Sequence, residues 1–289
     1  MDAPAANPNN VLLTGTGRSG TTLSCHLLSR LPETVALFEP MRVKKFAELK
    51  TREKICDSID AFCAQQRASL HERGVATTKQ SGGVMPDNPF GSERTSEGLR
   101  KKFVSKGEVA IDKPLGPDFT LIVKHISAFT ALLPQLVERF RVYAIVRNPL
   151  PVLASWSSID FNLRKGHIPA AERIDRELRE ALAGIDDPLD RQIYLMGWFH
   201  GRFRSILPDE SVITYESIIE SGGSALSVIT PRAAELSEPL ESRNLSQMYD
   251  RSTLEAIGER LLRSEGAHWQ SYDRESVERL LELSLSGDR

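Results

Sequence analysis

Short apolar runs alternate with stretches of helical spacing along most of this chain. The runs that predict β-strands lie at residues 11–14, 35–38, 109–111, 120–123, 141–146 and 212–214. Strands that alternate with helices are typical of a parallel sheet with helices packed on both faces. The pattern therefore predicts an α/β fold of three layers, in which helices flank a central, mostly parallel sheet.

Apolar residues at helical spacing predict helices at residues 23–31, 43–73, 127–140, 171–182, 189–207, 252–263 and 274–285. The stretch 43–73 forms either one long amphipathic helix or two in sequence, and Pro134 interrupts or restarts the helix at 127–140. A further helix is expected directly after the strand at 141–146, because Asn148 suits the N-cap and Pro149 the first helical position.

Residues 74–107 contain glycine, serine, proline and charge without a sustained period. A segment of this length without regular structure is usually functional or disordered, so we expect a mobile lid over a binding site or a disordered surface segment. No internal repeat or linker divides the chain, and residues 1–289 are predicted to form one domain.

Residues 11–22, VLLTGTGRSGTT, read as a strand, a phosphate-binding loop and the start of a helix. Gly15, Gly17 and Gly20 give the backbone the freedom to point consecutive N–H groups into one concavity. The positive end of the dipole of the following helix adds to this field. The stretch therefore predicts an anion site and a P-loop-like fold.

The loop departs from the pattern of ATP and GTP enzymes, because Thr21 stands where their lysine would be and Arg18 is its one cation. This speaks against γ-phosphate and Mg²⁺ chemistry. The run that resembles a known family consists of Gly17, Arg18, Ser19, Gly20, Thr21 and Thr22. It is similar to the 5′-phosphosulfate loop of sulfotransferases that use 3′-phosphoadenosine 5′-phosphosulfate (PAPS), and the resemblance implies that these six residues bind that group. With arginine in the cation position, the loop resembles that of the carbohydrate and tyrosylprotein sulfotransferases. The cytosolic phenol and steroid sulfotransferases carry lysine there.

Polar residues follow the strands at the points where the apolar runs end. Glu39, Lys124, Arg147 and the pair Tyr215-Glu216 come after four runs, and the glycine-rich loop follows the first. In open α/β sheets ligands bind beyond the carboxyl ends of the strands. If the five runs share one parallel sheet, these groups share one edge.

A second signature of the same family pairs an arginine at a strand end with a serine on the next helix. Arg147 and Ser155 stand at that separation and are followed by Trp156. The resemblance implies that both bind the 3′-phosphate of PAPS, and an arginine fork suits a phosphate. Tyr215-Glu216 resembles a family motif with a structural role.

The resemblance also implies a carboxylate base after the second strand, which would be Glu39, whereas cytosolic relatives use a histidine. His125 is the competing base here, but successive strand residues face opposite sides, so Lys124 and His125 are not expected in one site. Pairing with Arg18 or Arg42 is the alternative role for Glu39. Arg18 and Lys124 are expected to stabilise the negative charge that develops on the transferred group and the bridging oxygen. Lys113 is the alternative to Lys124 in this role. No metal is implied.

Composition sets the remaining bounds. The chain has 37 Lys and Arg against 39 Asp and Glu, a net charge of −2, which gives no electrostatic case for nucleic acid or an anionic membrane. Residues 1–10 are polar and read as neither a signal peptide nor an anchor. Cys25, Cys56 and Cys63 lack disulfide or zinc spacing, so a cytoplasmic location is expected. No pattern indicates an oligomeric state.

The resemblance thus implies a sulfotransferase that moves a sulfuryl group from PAPS to a hydroxyl of a carbohydrate, a natural product or a tyrosyl residue. Two alternatives remain open. A P-loop kinase acting on a small molecule would hydrolyse ATP with Mg²⁺, and an inert nucleotide-binding protein would bind the bisphosphate product without turnover.

Overall fold

The five apolar runs that precede the candidate groups form one parallel sheet in the computed structural model, which describes residues 7–49, 51–246 and 248–286. The strands are β1 (Asn10–Gly15), β2 (Thr34–Phe38), β3 (Val75–Gln80), β4 (Phe90–Arg94), β5 (Arg100–Lys102), β6 (Ser105–Ala110), β7 (Thr120–Lys124), β8 (Arg141–Val146) and β9 (Val212–Thr214). The order in the main sheet is β2-β7-β1-β8-β9, and all four neighbouring pairs are parallel.

The α-helices are α1 (Thr21–Arg30), α2 (Arg52–Arg73), α3 (Ser127–Ala131), α4 (Leu133–Leu136), α5 (Pro149–Ser157), α6 (Pro169–Glu172), α7 (Arg176–Ala183), α8 (Pro188–Ile206), α9 (Tyr215–Glu220), α10 (Arg251–Leu262) and α11 (Arg274–Ser286). The predicted stretch 43–73 divides into a 3₁₀ turn, Val43–Glu48, and α2. At the start of α5 the side chain of Asn148 accepts from the N–H of Leu150 at 3.1 Å, as an N-cap does.

Helices cover both faces of the main sheet. Every residue of β1 is buried, and its side chains alternate between two apolar clusters. Leu12 packs in the cluster that includes Ile59 of α2 and Leu153 of α5, whereas Leu13 packs with Leu27 and Leu28 of α1. The predicted three-layer α/β architecture is therefore confirmed.

The segment 74–107 differs from expectation, since half of it forms β-strands. Strands β3 and β6 pair antiparallel from Val75–Ala110 to Gln80–Ser105, and β4 pairs antiparallel with β5. We call residues 75–110 the arm. Thr78 Oγ1 accepts from the N–H of Phe38 at 2.8 Å, which fixes the arm against the edge strand β2. The expectation of a segment without its own elements is wrong; a role as a lid, like the single domain, stays a prediction.

Among the described residues, no helix combines the length and the apolar character needed to cross a bilayer.

Two buried histidines fasten the C-terminal region to α8. His200 is fully buried, its Nδ1 lies 2.9 Å from Ser271 Oγ, and its Nε2 has no partner among the described residues. Burial and then repulsion from His268 lower the pKa of His200 to about 3. Burial and then Arg274 lower the pKa of His268 to about 4. Both rings are therefore neutral in the folded protein at pH 7.

This burial predicts an acid-sensitive fold. Below about pH 6.5 the unfolded chain binds protons at these histidines that the folded chain excludes, so stability falls with falling pH, by up to about 1.4 kcal/mol per pH unit for each histidine. Urea unfolding at pH 7, 6 and 5 measures the slope. His200→Asn is expected to reduce the slope of the unfolding free energy against pH by the contribution of about one proton. Parallel plots of that free energy against pH for the two proteins would contradict the prediction.

Candidate active site

A cavity of about 990 Å³ lies at the carboxyl edge of the main sheet. Its lining includes a residue from the end of every strand in that sheet, namely Arg18, Glu39, Lys124, Arg147 and Tyr215. The expectation that the five strand ends share one edge is therefore confirmed, and the groups singled out in the sequence meet in one space.

The loop after β1 presents backbone N–H groups at the start of α1. Gly20 has φ +86°, and a Cβ added there would lie 2.7 Å from the ring of Tyr215, so only glycine fits. Within the described part of the chain, the N–H groups of Gly20, Thr21 and Thr22 donate to no protein acceptor, as expected for a first helical turn. Together with the helix dipole they create a positive field of the kind that suits an anion.

Two neighbouring side chains hold this loop in place. Trp156 Nε1 donates to the carbonyl of Gly17 at 2.8 Å. The Oγ of Ser19 lies 2.7 Å from the carbonyl oxygens of both Thr16 and Ile145, and its N–H donates to Thr16 at 3.2 Å. Ser19 is fully buried behind the loop. We therefore assign Ser19 to loop support, which departs from its predicted role as a ligand-binding residue.

Arg18 lies across the cavity with its backbone in the left-handed region, at φ +72°. Its Nε donates to Ser155 Oγ at 3.1 Å and its Nη1 to Asn88 Oδ1 at 3.0 Å. Burial and then repulsion from Arg100 lower the pKa of Arg18 to about 10, so the side chain is cationic at neutral pH. A non-glycine residue at positive φ stores strain of the kind that often accompanies function.

Arg147 lies beside Arg18, and its Nη1 donates to the carbonyl of Arg18 at 3.2 Å. Its Nε donates to Asn244 Oδ1 at 2.7 Å, and its guanidinium lies 4.4 Å from the ring centre of Tyr215. Its Nη2 is buried without a partner among the described residues. Arg18 and Arg147 are therefore on the same side of the molecule, and Arg147 keeps an unused donor.

Glu216 links the C-terminal region to Arg147 through hydrogen bonds. Its Oε1 accepts from Asn148 N at 3.2 Å and from Asn244 Nδ2 at 2.9 Å, and its Oε2 accepts from Tyr272 Oη at 2.6 Å. Asn244 thus lies between Glu216 and Arg147. The geometry agrees with a structural role for Glu216.

Glu39 lies at the other end of the cavity, also at positive φ, +42°. Its Oε1 is 3.3 Å from Lys124 Nζ, and its Oε2 pairs with Lys79 of the arm. Burial opposes ionisation, but Lys124 and Lys79 outweigh it and hold the pKa of Glu39 well below its usual value. Pairing with Arg18 or Arg42 was the expected alternative; the described partners are these two lysines.

Lys124 is 1% exposed and lies 4.3 Å from the ring centre of Phe38. Burial lowers its pKa, and Glu39 opposes that shift. The competing lysine, Lys113, caps α1 instead, because its Nζ donates to the carbonyls of Ser29 at 2.7 Å and Leu31 at 2.6 Å. Lys113 does not line the cavity.

His125 is buried beside the site without lining the cavity. Its Nε2 accepts from the N–H of Met41 at 3.1 Å, and its ring contacts Phe129 edge-on at 5.1 Å. Burial lowers its pKa to about 3. The ring is neutral, and its Nε2 lone pair already has a backbone partner.

Sequence reasoning missed the cations that the arm supplies. Lys79 reaches Glu39, and Arg100 reaches Ser155. Both lie in the stretch 74–107, which showed no hydrophobic period, so no sequence signal marked them.

The lining of the cavity contains seven cationic and three acidic residues. The cations are Arg18, Arg94, Arg100, Lys102, Lys124, Arg147 and Arg243, and the acids are Glu39, Asp87 and Glu241. The net charge of −2 for the whole chain thus conceals a cationic site.

Among the described residues, no group of three or more His, Cys, Asp or Glu side chains is placed to hold a metal ion.

No family model and no curated protein matches this chain. A crystal structure of retinol dehydratase in complex with retinol and PAP has 13% sequence identity and a TM-score of 0.26 to it, covering 97% of this chain and 81% of that one. A likeness this low supports no functional conclusion. The function proposed below rests on the residues of the cavity.

Proposed function

We propose that this chain is a sulfotransferase that moves the sulfuryl group of PAPS to a hydroxyl of a small-molecule or carbohydrate acceptor. One observation carries the proposal: the loop with Arg18, the Arg147 site, and the Glu39–Lys124 pair all open into the same cavity. Two anion sites and a carboxylate base within one space match a donor with phosphates at two positions and an acceptor that loses a proton.

The residues present fit PAPS. The free N–H groups of Gly20, Thr21 and Thr22, with Gly17 and Arg18, would hold the 5′-phosphosulfate. Arg147, whose Nη2 is unused, and Ser155 would hold the 3′-phosphate. Ser155 Oγ accepts from Arg18 and donates to no group among the described residues, so its hydrogen is available. A volume of about 990 Å³ accommodates a nucleotide and a small acceptor.

PAPS, when bound, supplies the sulfuryl group. Glu39 accepts the proton of the acceptor hydroxyl on a carboxylate oxygen. Its carboxylate is ionised at neutral pH, and the lysines that lower its pKa make it a weak base while they remain paired with it. Lys124 and Arg18 stabilise negative charge that develops on the transferred group and the leaving oxygen. If Lys124 moves away from Glu39, the pKa of Glu39 rises, because the positive charge that stabilised its ionised form is then more distant. Glu39 thereby becomes a stronger base.

Three exposed apolar side chains line the cavity. Phe103, Phe161 and Met248 line it and are 45%, 45% and 46% exposed. Exposed apolar residues around a concave site favour an acceptor with an apolar body beside its hydroxyl. This favours a hydroxylated small molecule over a polysaccharide.

The test combines binding and transfer. Calorimetry should show that 3′,5′-adenosine bisphosphate (PAP) binds, and ³⁵S-labelled PAPS with a panel of hydroxylated acceptors should yield a labelled product. Hydrolysis of ATP with Mg²⁺ and no PAP binding would instead identify the kinase alternative. PAP binding with no transfer to any acceptor in the panel would identify an inert nucleotide-binding protein.

A further inference from the structure

Arg100 belongs to the arm and lines the cavity, and hydrogen bonds hold its backbone in place. Its N–H donates to the carbonyl of Ser158 at 3.0 Å, and its carbonyl accepts from Asp160 at 3.1 Å, in a parallel bridge to the segment after α5. The Arg100 residue is 4% exposed, whereas its neighbours Lys101 and Lys102 on β5 are exposed. The guanidinium is therefore held inside the protein.

This buried cation has no carboxylate partner among the described residues. Its Nη2 donates to Ser158 Oγ at 2.9 Å and to Ser155 Oγ at 3.4 Å, and its Nε has no partner. Burial lowers its pKa. A buried cation costs free energy unless an opposite charge compensates it, so this position stabilises the fold poorly in the absence of an anion.

Arg100 also lies against another cation. Arg18 Nε and Arg100 Nη2 both donate to Ser155 Oγ, at 3.1 and 3.4 Å. Repulsion between two like charges is unfavourable in a partly desolvated cavity, and it contributes to the lowered pKa of Arg18. An anion bound beside Ser155 would neutralise both charges. The Nε of Arg100 and the Nη2 of Arg147 are buried donors without a partner among the described residues.

We propose that Arg100 is a third arginine of the nucleotide site and binds the 3′-phosphate together with Arg147 and Ser155. The inference rests on the proposed function, because it assumes a nucleotide with a 3′-phosphate. It gives the arm a direct part in donor recognition: a strand outside the main sheet delivers one of the three guanidinium groups.

The test compares two ligands that differ at the 3′ position. PAP and adenosine 5′-monophosphate (AMP) are titrated by calorimetry into wild type, Arg100→Met and Lys101→Met. Lys101 is the matched control, because it is exposed on the same strand and does not line the cavity. Arg100→Met should weaken PAP about tenfold or more, leave AMP unchanged and keep or raise the melting temperature without ligand, since an uncompensated buried charge is removed. Lys101→Met should bind both ligands like wild type.

The outcomes separate the two proposals. Failure of wild type to bind PAP would overturn the proposed function. Wild-type PAP binding that Arg100→Met retains, or an equal loss for PAP and AMP, would overturn the assignment to the 3′-phosphate. If Arg100→Met does not fold, Arg100→Lys decides: it keeps the charge without the fork, so it should lose PAP affinity selectively, and unchanged PAP affinity would contradict the inference.

Discussion

Replacement of Glu39 by glutamine is expected to lower the kcat of sulfuryl transfer by about 10²- to 10⁴-fold, the usual contribution of a general base. Glutamine has nearly the same shape but cannot accept a proton at neutral pH. The variant removes the carboxylate that Lys124 and Lys79 share, so the positive charge of the cavity rises. PAP should consequently bind as tightly as to wild type or more tightly.

Initial rates with labelled PAPS and an acceptor from the panel measure kcat, and calorimetry measures PAP affinity. His125→Gln is the control, because the amide oxygen of glutamine can take the position of Nε2 and accept from the Met41 N–H, while the substitution removes the other candidate base. This control should retain transfer. Normal turnover in Glu39→Gln together with its loss in His125→Gln would move the base to His125.

The sheet and the glycine-rich loop after β1 were predictable because each leaves a local mark in the sequence. Strands buried on both faces read as continuous apolar runs, as β1 and β8 show. The loop required glycine at a position such as Gly20, where a Cβ would collide with Tyr215. The start of α5 could be read from Asn148 and Pro149.

Most of the arm was not predictable: the apolar run at 109–111 marked the end of β6, but β3, β4 and β5 carried no such mark. Strands β4 and β5 are short and largely exposed, so neither face imposes an apolar alternation. The partners that matter are distant in the chain: Lys79 meets Glu39 across 40 residues and Arg100 meets Ser155 across 55. Only tertiary structure brings these cations to the site.

Ser19 shows a different limit of motif reading. Its place in the run that resembles the family predicted a ligand contact, yet its hydroxyl lies against two backbone carbonyls behind the loop. A buried hydroxyl needs such partners, and the loop supplies them before any ligand arrives. A motif position therefore identifies a residue that the site needs without saying whether it touches the ligand.

Arg147→Ala is expected to weaken PAP binding by more than tenfold. The substitution removes the unused Nη2 donor together with the bond to the Arg18 carbonyl, and hydrogen bonds to charged groups are worth about 1.5–3 kcal/mol each. Because the lost donors face the 3′-phosphate site, the loss should be larger for PAP than for AMP. Calorimetry with both ligands measures the difference.

Arg141→Ala provides the control for this prediction. Arg141 is the first residue of the same strand, β8, and so lies at the amino-terminal ends of the strands, away from the cavity. Its Nη2 donates to Tyr143 Oη and to the Ile229 carbonyl, both at 3.0 Å. Its removal should leave PAP affinity unchanged. Unchanged affinity in Arg147→Ala as well would exclude Arg147 from the nucleotide site, and with it the pairing of two anion sites on which the sulfotransferase proposal depends.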